Sequence, residues 1–311
     1  MNIDQRGDAI TAGDGTTIRY RTFGNGGPAV VLLHGGMQTS LNLLKLADLL
    51  SDRFTVHIPD RRGRGLSGPP GAGYGLETEI EDLRRLMRET GARNLFGLSS
   101  GAVIAIQAAL RIPEIERIAL YEPPLKFGTF SPIAWLPRYE RELARGRKAA
   151  AFVTVMKGTA NAPALRWVPH AVLVPLVKVG IRADGRASEA AGGDGDLPWR
   201  TSGRTRRTSR GGRSGRPLGY TPLGDLIPTM RQDATVVQQS AGPLDRFAAL
   251  RAETLLLGGD KSAPYLKAVL NGLEAVVPHV RRVTLPGAGH LAADNSGKPQ
   301  LVADQLRVFF Y

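Results

Sequence analysis

Residues 95–103 read LFGLSSGAV, and the fold turns on what two serines are doing between two glycines. An apolar run over residues 92–98, with Arg93 and Asn94 near its start, leads in, and a small-residue, helix-like stretch over 102–109 leads out. If a buried strand hands over to a helix here, Gly97 and Gly101 allow a sharp turn, because neither carries a side chain to obstruct close approach. Such a turn lifts the Ser99 hydroxyl clear of the backbone. The helix that begins beside it offers unpaired N–H groups and the positive end of its dipole, both favourable to a developing anion. A bare G-x-S-x-G match is frequent by chance, so the weight lies in the flanking strand and helix.

Outward from this stretch, strands and helices alternate. Residues 9–12 and 16–23 flank Gly13-Asp14-Gly15, the signal of a hairpin of two antiparallel edge strands. Residues 29–33 form a short apolar run between glycines, suited to a strand covered on both faces. Ser40 is expected to cap a helix reaching Leu50, and 54–58 is the next strand. Thr78 with Glu81 fits a capping box for a helix that places Ile80, Leu83 and Met87 on one face. A strand at 117–121 follows the small-residue helix. The alternation resumes with a strand at 254–257, a helix at 265–277, a strand at 281–285 and a last helix at 300–310. The expected fold class is therefore α/β: a doubly wound, mostly parallel sheet with helices on both faces.

Between residue 123 and about 239 the alternation stops. Apolar pieces at 133–136, 151–156 and 167–181 occur there without intervening strands, which reads as a helical insertion. The expected division is a core of residues 1–124 and 240–311, and a cap of residues 125–239 containing a flexible Arg-rich loop at about 183–217. Ligands of such sheets bind outside the carboxyl ends of the strands, where this insertion sits.

The chain has 311 residues and a net charge of +13, which at first suggests a nucleic-acid partner. Seven arginines fall within residues 197–217 (LPWRTSGRTRRTSRGGRSGRP), a stretch without an acidic residue, so over half the excess is local. This segment is too poor in apolar residues to offset its ordering entropy. Trp199 is its one aromatic residue, and no aromatic stacking platform or recognition helix accompanies the arginines, which argues against nucleic acid. There is no cysteine, so disulfides and thiolate metal sites are excluded. The beginning, MNIDQRGDAI, does not follow the layout of a secretory signal, and the longest apolar window, 164–181, is interrupted by Arg166, Pro169, His170, Pro175 and Lys178. A cytoplasmic protein with a small-molecule substrate and no membrane contact is expected.

A serine hydroxyl needs a base, and five histidines are available. His57 falls inside a strand, His170 in the insertion and His279 after a helix. His34, directly after the 29–33 strand, is placed to order the loop that follows. His290 differs: it ends the glycine-rich loop Leu285-Pro286-Gly287-Ala288-Gly289-His290, past the last strand and on the same sheet edge as Ser99. Gly36 can bring a backbone N–H close to an oxyanion there.

Four motifs taken together resemble the α/β-hydrolase superfamily: LLHGG at 32–36, DRRGRGLS at 60–67, GLSSG at 97–101 and GAGH at 287–290. Their order and spacing match over residues 9–124 and 240–311. The resemblance implies Ser99 as nucleophile, His290 as general base, and the Gly36 and Ser100 amides as the oxyanion hole. It implies no cofactor, and residues 123 to about 239 as the variable cap.

The acid that orients the histidine departs from the family pattern. Relatives commonly place it in a G-x-x-D turn after the strand corresponding to 254–257. Here Gly258-Gly259-Asp260-Lys261 brings Asp260 one residue early. The competing acid is Glu122, in IALYEPP, at a position some relatives use, including certain haloalkane dehalogenases. Asp260 is the favoured expectation and Glu122 the alternative. The implied reaction is hydrolysis of an ester-like bond through an acyl-enzyme. A small to medium apolar substrate fits the Leu-, Val-, Pro- and Trp-rich cap, with thioesters, lactones and amides in range. A serine rather than an aspartate argues against dehalogenase or epoxide hydrolase chemistry. The alternative function is a non-catalytic ligand-binding or regulatory protein on the same fold.

Overall fold

Eight strands form one sheet in the computed structural model, which describes residues 6–126, 129–159, 167–190 and 216–311. The chain begins with the hairpin β1 (Arg6–Thr11) and β2 (Thr17–Phe23), then β3 (Ala29–Leu33), α1 (Leu44–Leu50), β4 (Thr55–Pro59) and α2 (Leu76–Thr90). It continues through β5 (Asn94–Leu98), α3 (Ser100–Ala109) and β6 (Arg117–Tyr121). Helices α4 (Leu136–Ala144), α5 (Lys148–Gly158), α6 (His170–Ala190), α7 (Leu223–Leu226) and α8 (Met230–Gln239) intervene before β7 (Glu253–Gly259). The chain closes with α9 (Pro264–Val276), β8 (Val280–Leu285) and α10 (Pro299–Phe309).

Strand order is β1-β2-β4-β3-β5-β6-β7-β8; β1 and β2 run antiparallel and β3 to β8 run parallel. The winding direction reverses between β3 and β5, so the crevice at their carboxyl ends is the topological switch point. Register aligns the strand ends there: Leu33 lies beside Gly97, Leu98 beside Tyr121, and Tyr121 beside Leu257. The residues that come next in β5 and β6 are Ser99 and Glu122.

Strand side chains alternate between two cores, as a pleated strand covered on both faces must. On one face Leu95, Leu120 and Leu256 pack with Ile80 and Leu83 of α2, Val103 of α3 and Val269 of α9. On the other, Phe96, Tyr121 and Leu257 pack with Leu46 of α1 and Val302 and Leu306 of α10. A third cluster, with Trp135, Tyr139, Val155, Ile227 and Ala234, holds the inserted helices together. Tyr139 Oη donates to the Ile227 carbonyl at 2.7 Å, which spares the buried hydroxyl an unmet hydrogen bond. Among the described residues no helix is long and apolar enough to cross a membrane.

Three local expectations are corrected. Thr39, not Ser40, caps the first helical turn, because its side chain accepts from the Leu41 N–H while Ser40 Oγ is taken by Arg21. Helix α2 starts at Leu76, ahead of the Thr78–Glu81 box, because Gln239 Oε1 from α8 accepts the Leu76 N–H at 2.6 Å and supplies a cap from outside the segment. The start of the Arg-rich loop is helical: α6 runs through residues 183–190, and Asp184 fixes the returning chain by accepting from Arg216 at 2.8 Å and from the Leu223 N–H at 2.8 Å. The remainder of that loop, residues 191–215, lies outside the described residues.

Both elbow glycines are required by close packing. A Cβ on Gly101 would lie 2.6 Å from the Leu33 carbonyl oxygen and 2.7 Å from that of His34, and one on Gly97 would lie 2.5 Å from Ala102 Cα. These neighbours are backbone and cannot rotate away. Gly101→Ala is therefore expected to cost about 1–3 kcal/mol by overpacking, read as a lowered urea midpoint at unchanged slope.

Candidate active site

The elbow at the end of β5 is strained. Ser99 has φ 56° and ψ −119°, a region that non-glycine residues enter at a cost of about 1–3 kcal/mol. The strain is held by its surroundings: the Ser99 N–H donates to the Tyr121 carbonyl at 2.9 Å, and the Ser99 carbonyl accepts from Ala102 and Val103 in the first turn of α3. As a result the half-buried Ser99 hydroxyl faces His290, with Oγ 3.0 Å from Nε2. The opposite ring nitrogen, Nδ1, lies 2.8 Å from Glu122 Oε2.

Glu122 is wholly buried, and like Ser99 it has a left-handed backbone, with φ 48°. Its amide donates to the Leu257 carbonyl at 3.1 Å. Burying a carboxylate is costly unless both oxygens are paired. Oε2 has the imidazole, and Oε1 accepts the Gly259 N–H at 2.7 Å.

This overturns the expectation for Asp260. That residue is exposed; its amide donates to the Leu285 carbonyl at 3.1 Å, and its own carbonyl accepts from Lys267 at 2.6 Å. The two glycines before it serve packing rather than announcing an acid. A Cβ on Gly258 would lie 3.1 Å from Glu122 Oε1, and one on Gly259 would lie 2.2 Å from the Ala288 carbonyl, so their smallness seats both the Glu122 carboxylate and the histidine loop. Asp260→Asn is accordingly expected to change kcat by less than about threefold, since a solvated charge acts weakly on a buried imidazole; steady-state turnover of one ester checks it.

The histidine loop is anchored at several points. Tyr121 Oη donates to the Gly289 carbonyl at 2.7 Å, and the Lys261 N–H donates to the Ala288 carbonyl at 2.9 Å. Farther along, Asp294 accepts from Gln38 and Asn42, each at 2.9 Å, while Gln38 Oε1 accepts the Gly35 N–H at 2.8 Å. The loop after β3 is thereby tied to the loop after β8. Gly36 and Ser100 line the same cavity as Ser99 and His290, and neither of their backbone N–H groups has a hydrogen-bond partner among the described residues. Two free donors beside a serine oxygen can hold an oxyanion.

The second serine has a different task. Ser100 Oγ donates to Asp233 Oδ1 at 2.7 Å and accepts from Arg61 Nη1 at 3.1 Å. Arg61 also bridges Asp233 at 2.9 Å and Glu79 at 2.8 Å, and Arg64 reaches the other Asp233 oxygen at 2.7 Å. Burial alone would raise the Asp233 pKa, but Arg64 and Arg61 hold it below the ordinary carboxylate value. Burial likewise works against Arg61, yet Glu79 and Asp233 carry its pKa well above the usual one. His34 sits beneath this cluster as the sequence suggested, with Nδ1 against the Gly35 carbonyl and Nε2 accepting the Arg61 amide. Burial first, and the two arginines next, push its pKa well below 6.5, so it stays neutral and orders the loop. Asp233, from α8, is the site residue that sequence reading missed. Nothing local marks it, because its partners lie more than a hundred residues away.

The cavity above Ser99 measures about 470 Å³. Pro132, Ile133, Trp135, Phe152, Val155 and Met156 from the insertion form its roof, and Met230 and Val237 of α8 close one side. Among the described residues, no group of three or more His, Asp or Glu side chains is arranged to hold a metal ion.

A parallel sheet whose switch point carries a strained strand-to-helix elbow, roofed by helices inserted after β6, is the architecture of an α/β hydrolase. The chain belongs to the alpha/beta hydrolase family, whose model matches residues 30–305. It is similar to 2-(acetamidomethylene)succinate hydrolase of Mesorhizobium japonicum, at 27% identity over 94% of this chain and 91% of that protein. An uncharacterized hydrolase of Bacillus subtilis, YraK, is 33% identical over 36% of this chain, and there the match spans 42% of the relative's length. Among solved structures, an alpha/beta hydrolase from Sphaerobacter thermophilus superposes with a TM-score of 0.70 at 26% identity, covering 98% of this chain and all of that one.

Proposed function

We propose that the protein is a serine hydrolase that cleaves an ester-like acyl bond of a small to medium, largely apolar substrate through an acyl-enzyme. The observation that carries this reading is the unbroken chain Glu122–His290–Ser99, at 2.8 and 3.0 Å, ending on a strained elbow. Glu122 accepts a hydrogen bond from Nδ1–H, which keeps that proton on Nδ1 and leaves a lone pair on Nε2. His290 takes the Ser99 proton as Oγ attacks the carbonyl carbon, and the Gly36 and Ser100 amides receive the oxyanion. The imidazolium then gives its proton to the departing alcohol or amine. A water molecule, deprotonated by the same nitrogen, releases the acid and restores Ser99.

Family membership supports hydrolysis in general. The Mesorhizobium relative's name specifies a substrate with an acetamido group, which keeps acyl–nitrogen bonds in range beside esters. A non-catalytic, ligand-binding reading drew its support from the displaced Asp260, and Glu122 against the imidazole removes that support. Labelling with a fluorophosphonate probe, together with turnover of a short p-nitrophenyl ester, tests the proposal. Labelling confined to Ser99 is the expected result, and a protein that neither labels nor turns over ester is a binding protein on this fold.

A further inference from the structure

The overall charge and the local charge of the site point in opposite directions. A net charge of +13 would suit an anionic substrate, but seven of the arginines lie in residues 197–217. Around the cavity the count over the described residues changes sign. Among the described residues no Lys or Arg side chain lines it, and the charged side chains that do are Asp233 and Asp294, beside His290. The nearby guanidiniums of Arg61 and Arg64 are 1% and 0% exposed and are engaged by Asp233 and Glu79, so two positive charges meet two negative ones. That leaves Glu122, whose partner in the resting site is an imidazole, and Asp294. Every donor to Asp294 is neutral: Gln38, Asn42, and the amide and hydroxyl of Ser296. The remaining wall is mostly apolar.

We propose that this site selects against substrates bearing a carboxylate and takes electrically neutral or cationic esters. The inference rests on the serine-hydrolase reading above and adds a charge specificity to it. Among the described residues, a carboxylate entering the cavity would leave water without meeting a cation, and it would stand beside Asp294, whose donors are all neutral. A hydrophobic wall cannot compensate for that, whereas the same acyl group with its second carboxyl esterified loses nothing on entry. Discrimination of this kind is strong because it leaves a buried charge unpaired in the disfavoured complex.

Diethyl succinate and monoethyl succinate make the comparison at nearly constant shape. With hydrolysis followed by pH-stat at neutral pH, kcat/KM for the diester is expected to exceed that for the monoester by about a hundredfold, and a ratio below about tenfold overturns the proposal. Asp294→Asn should shrink that ratio, which is internal to the variant and so unaffected by any general loss of activity; an unchanged ratio overturns the assignment to Asp294. Calorimetric binding of both compounds to Ser99→Ala separates this inference from the catalytic reading. Preferential binding of the diester supports the charge specificity even if the wild type turns over neither compound, whereas the hydrolase proposal falls only if fluorophosphonate labelling and p-nitrophenyl ester turnover are both absent. Equal binding of the two compounds, with turnover intact, overturns the charge specificity alone.

Discussion

Glu122→Gln is expected to lower kcat by about three to four orders of magnitude while leaving the fold intact, the loss typical when a triad carboxylate becomes its amide. The geometry shows why the isosteric change cannot be absorbed. Two donors converge on this side chain, the Gly259 N–H at Oε1 and the imidazole at Oε2. A carboxylate accepts both; a carboxamide has one accepting oxygen and one donating nitrogen. If the oxygen keeps Gly259, the NH₂ group faces Nδ1, the tautomer inverts, and Nε2 carries a proton where it must accept one from Ser99. If the oxygen turns to the imidazole instead, the buried Gly259 N–H loses its acceptor, at about 1–3 kcal/mol. Either arrangement also removes the negative charge that stabilises the imidazolium formed during attack. Measuring Glu122→Gln and Asp260→Asn on one ester decides between the two acids. A large loss at Asp260 with a nearly silent Glu122 variant would reverse the assignment.

Ser99→Ala is expected to abolish fluorophosphonate labelling and to lower kcat by about five to six orders of magnitude, to the residue of catalysis that binding and oxyanion contacts alone provide. No neighbouring hydroxyl can substitute. Ser100, adjacent in sequence, directs its Oγ away from His290 into the cluster of Asp233 and Arg61, at 2.7 and 3.1 Å. Only Ser99 has the backbone, at φ 56° and ψ −119°, that turns a side chain toward Nε2. Labelling that survives in Ser99→Ala and disappears in Ser100→Ala would show that the elbow has been placed one residue early. The same comparison explains the pair of serines between glycines. One hydroxyl is exposed to the cavity by strain, and the other is buried by an ion cluster that joins the elbow to the inserted helices.

Much of this was legible in the sequence because it depends on local order. The apolar runs of β3, β5, β6 and β7, the small residues of α3 and the glycines at 97 and 101 state a buried parallel sheet and a sharp turn without reference to any distant residue. Ser99 and His290 follow from that frame, since each sits in a short loop past the carboxyl end of a strand. Helix starts were less legible wherever the cap came from elsewhere, as Gln239 caps α2 from α8.

By itself, then, the sequence determined the sheet, the elbow and the placing of Ser99 and His290 at one sheet edge, all products of nearest-neighbour chemistry and strand order. Tertiary structure alone decided which carboxylate meets the imidazole, which partners hold Ser100 and what sign of charge the described residues give the cavity. Glu122 and Asp260 both follow strands that end at the same edge, so position along the chain cannot separate them. What separates them is burial: one carboxylate lies in the interior with a donor on each oxygen, and the other lies in water. The charge that the described residues give the cavity is likewise a sum over Arg61, Arg64, Glu79, Asp233 and Asp294. These residues are scattered over more than two hundred positions, and their mutual cancellation exists only once the chain has brought them together in a space that excludes solvent.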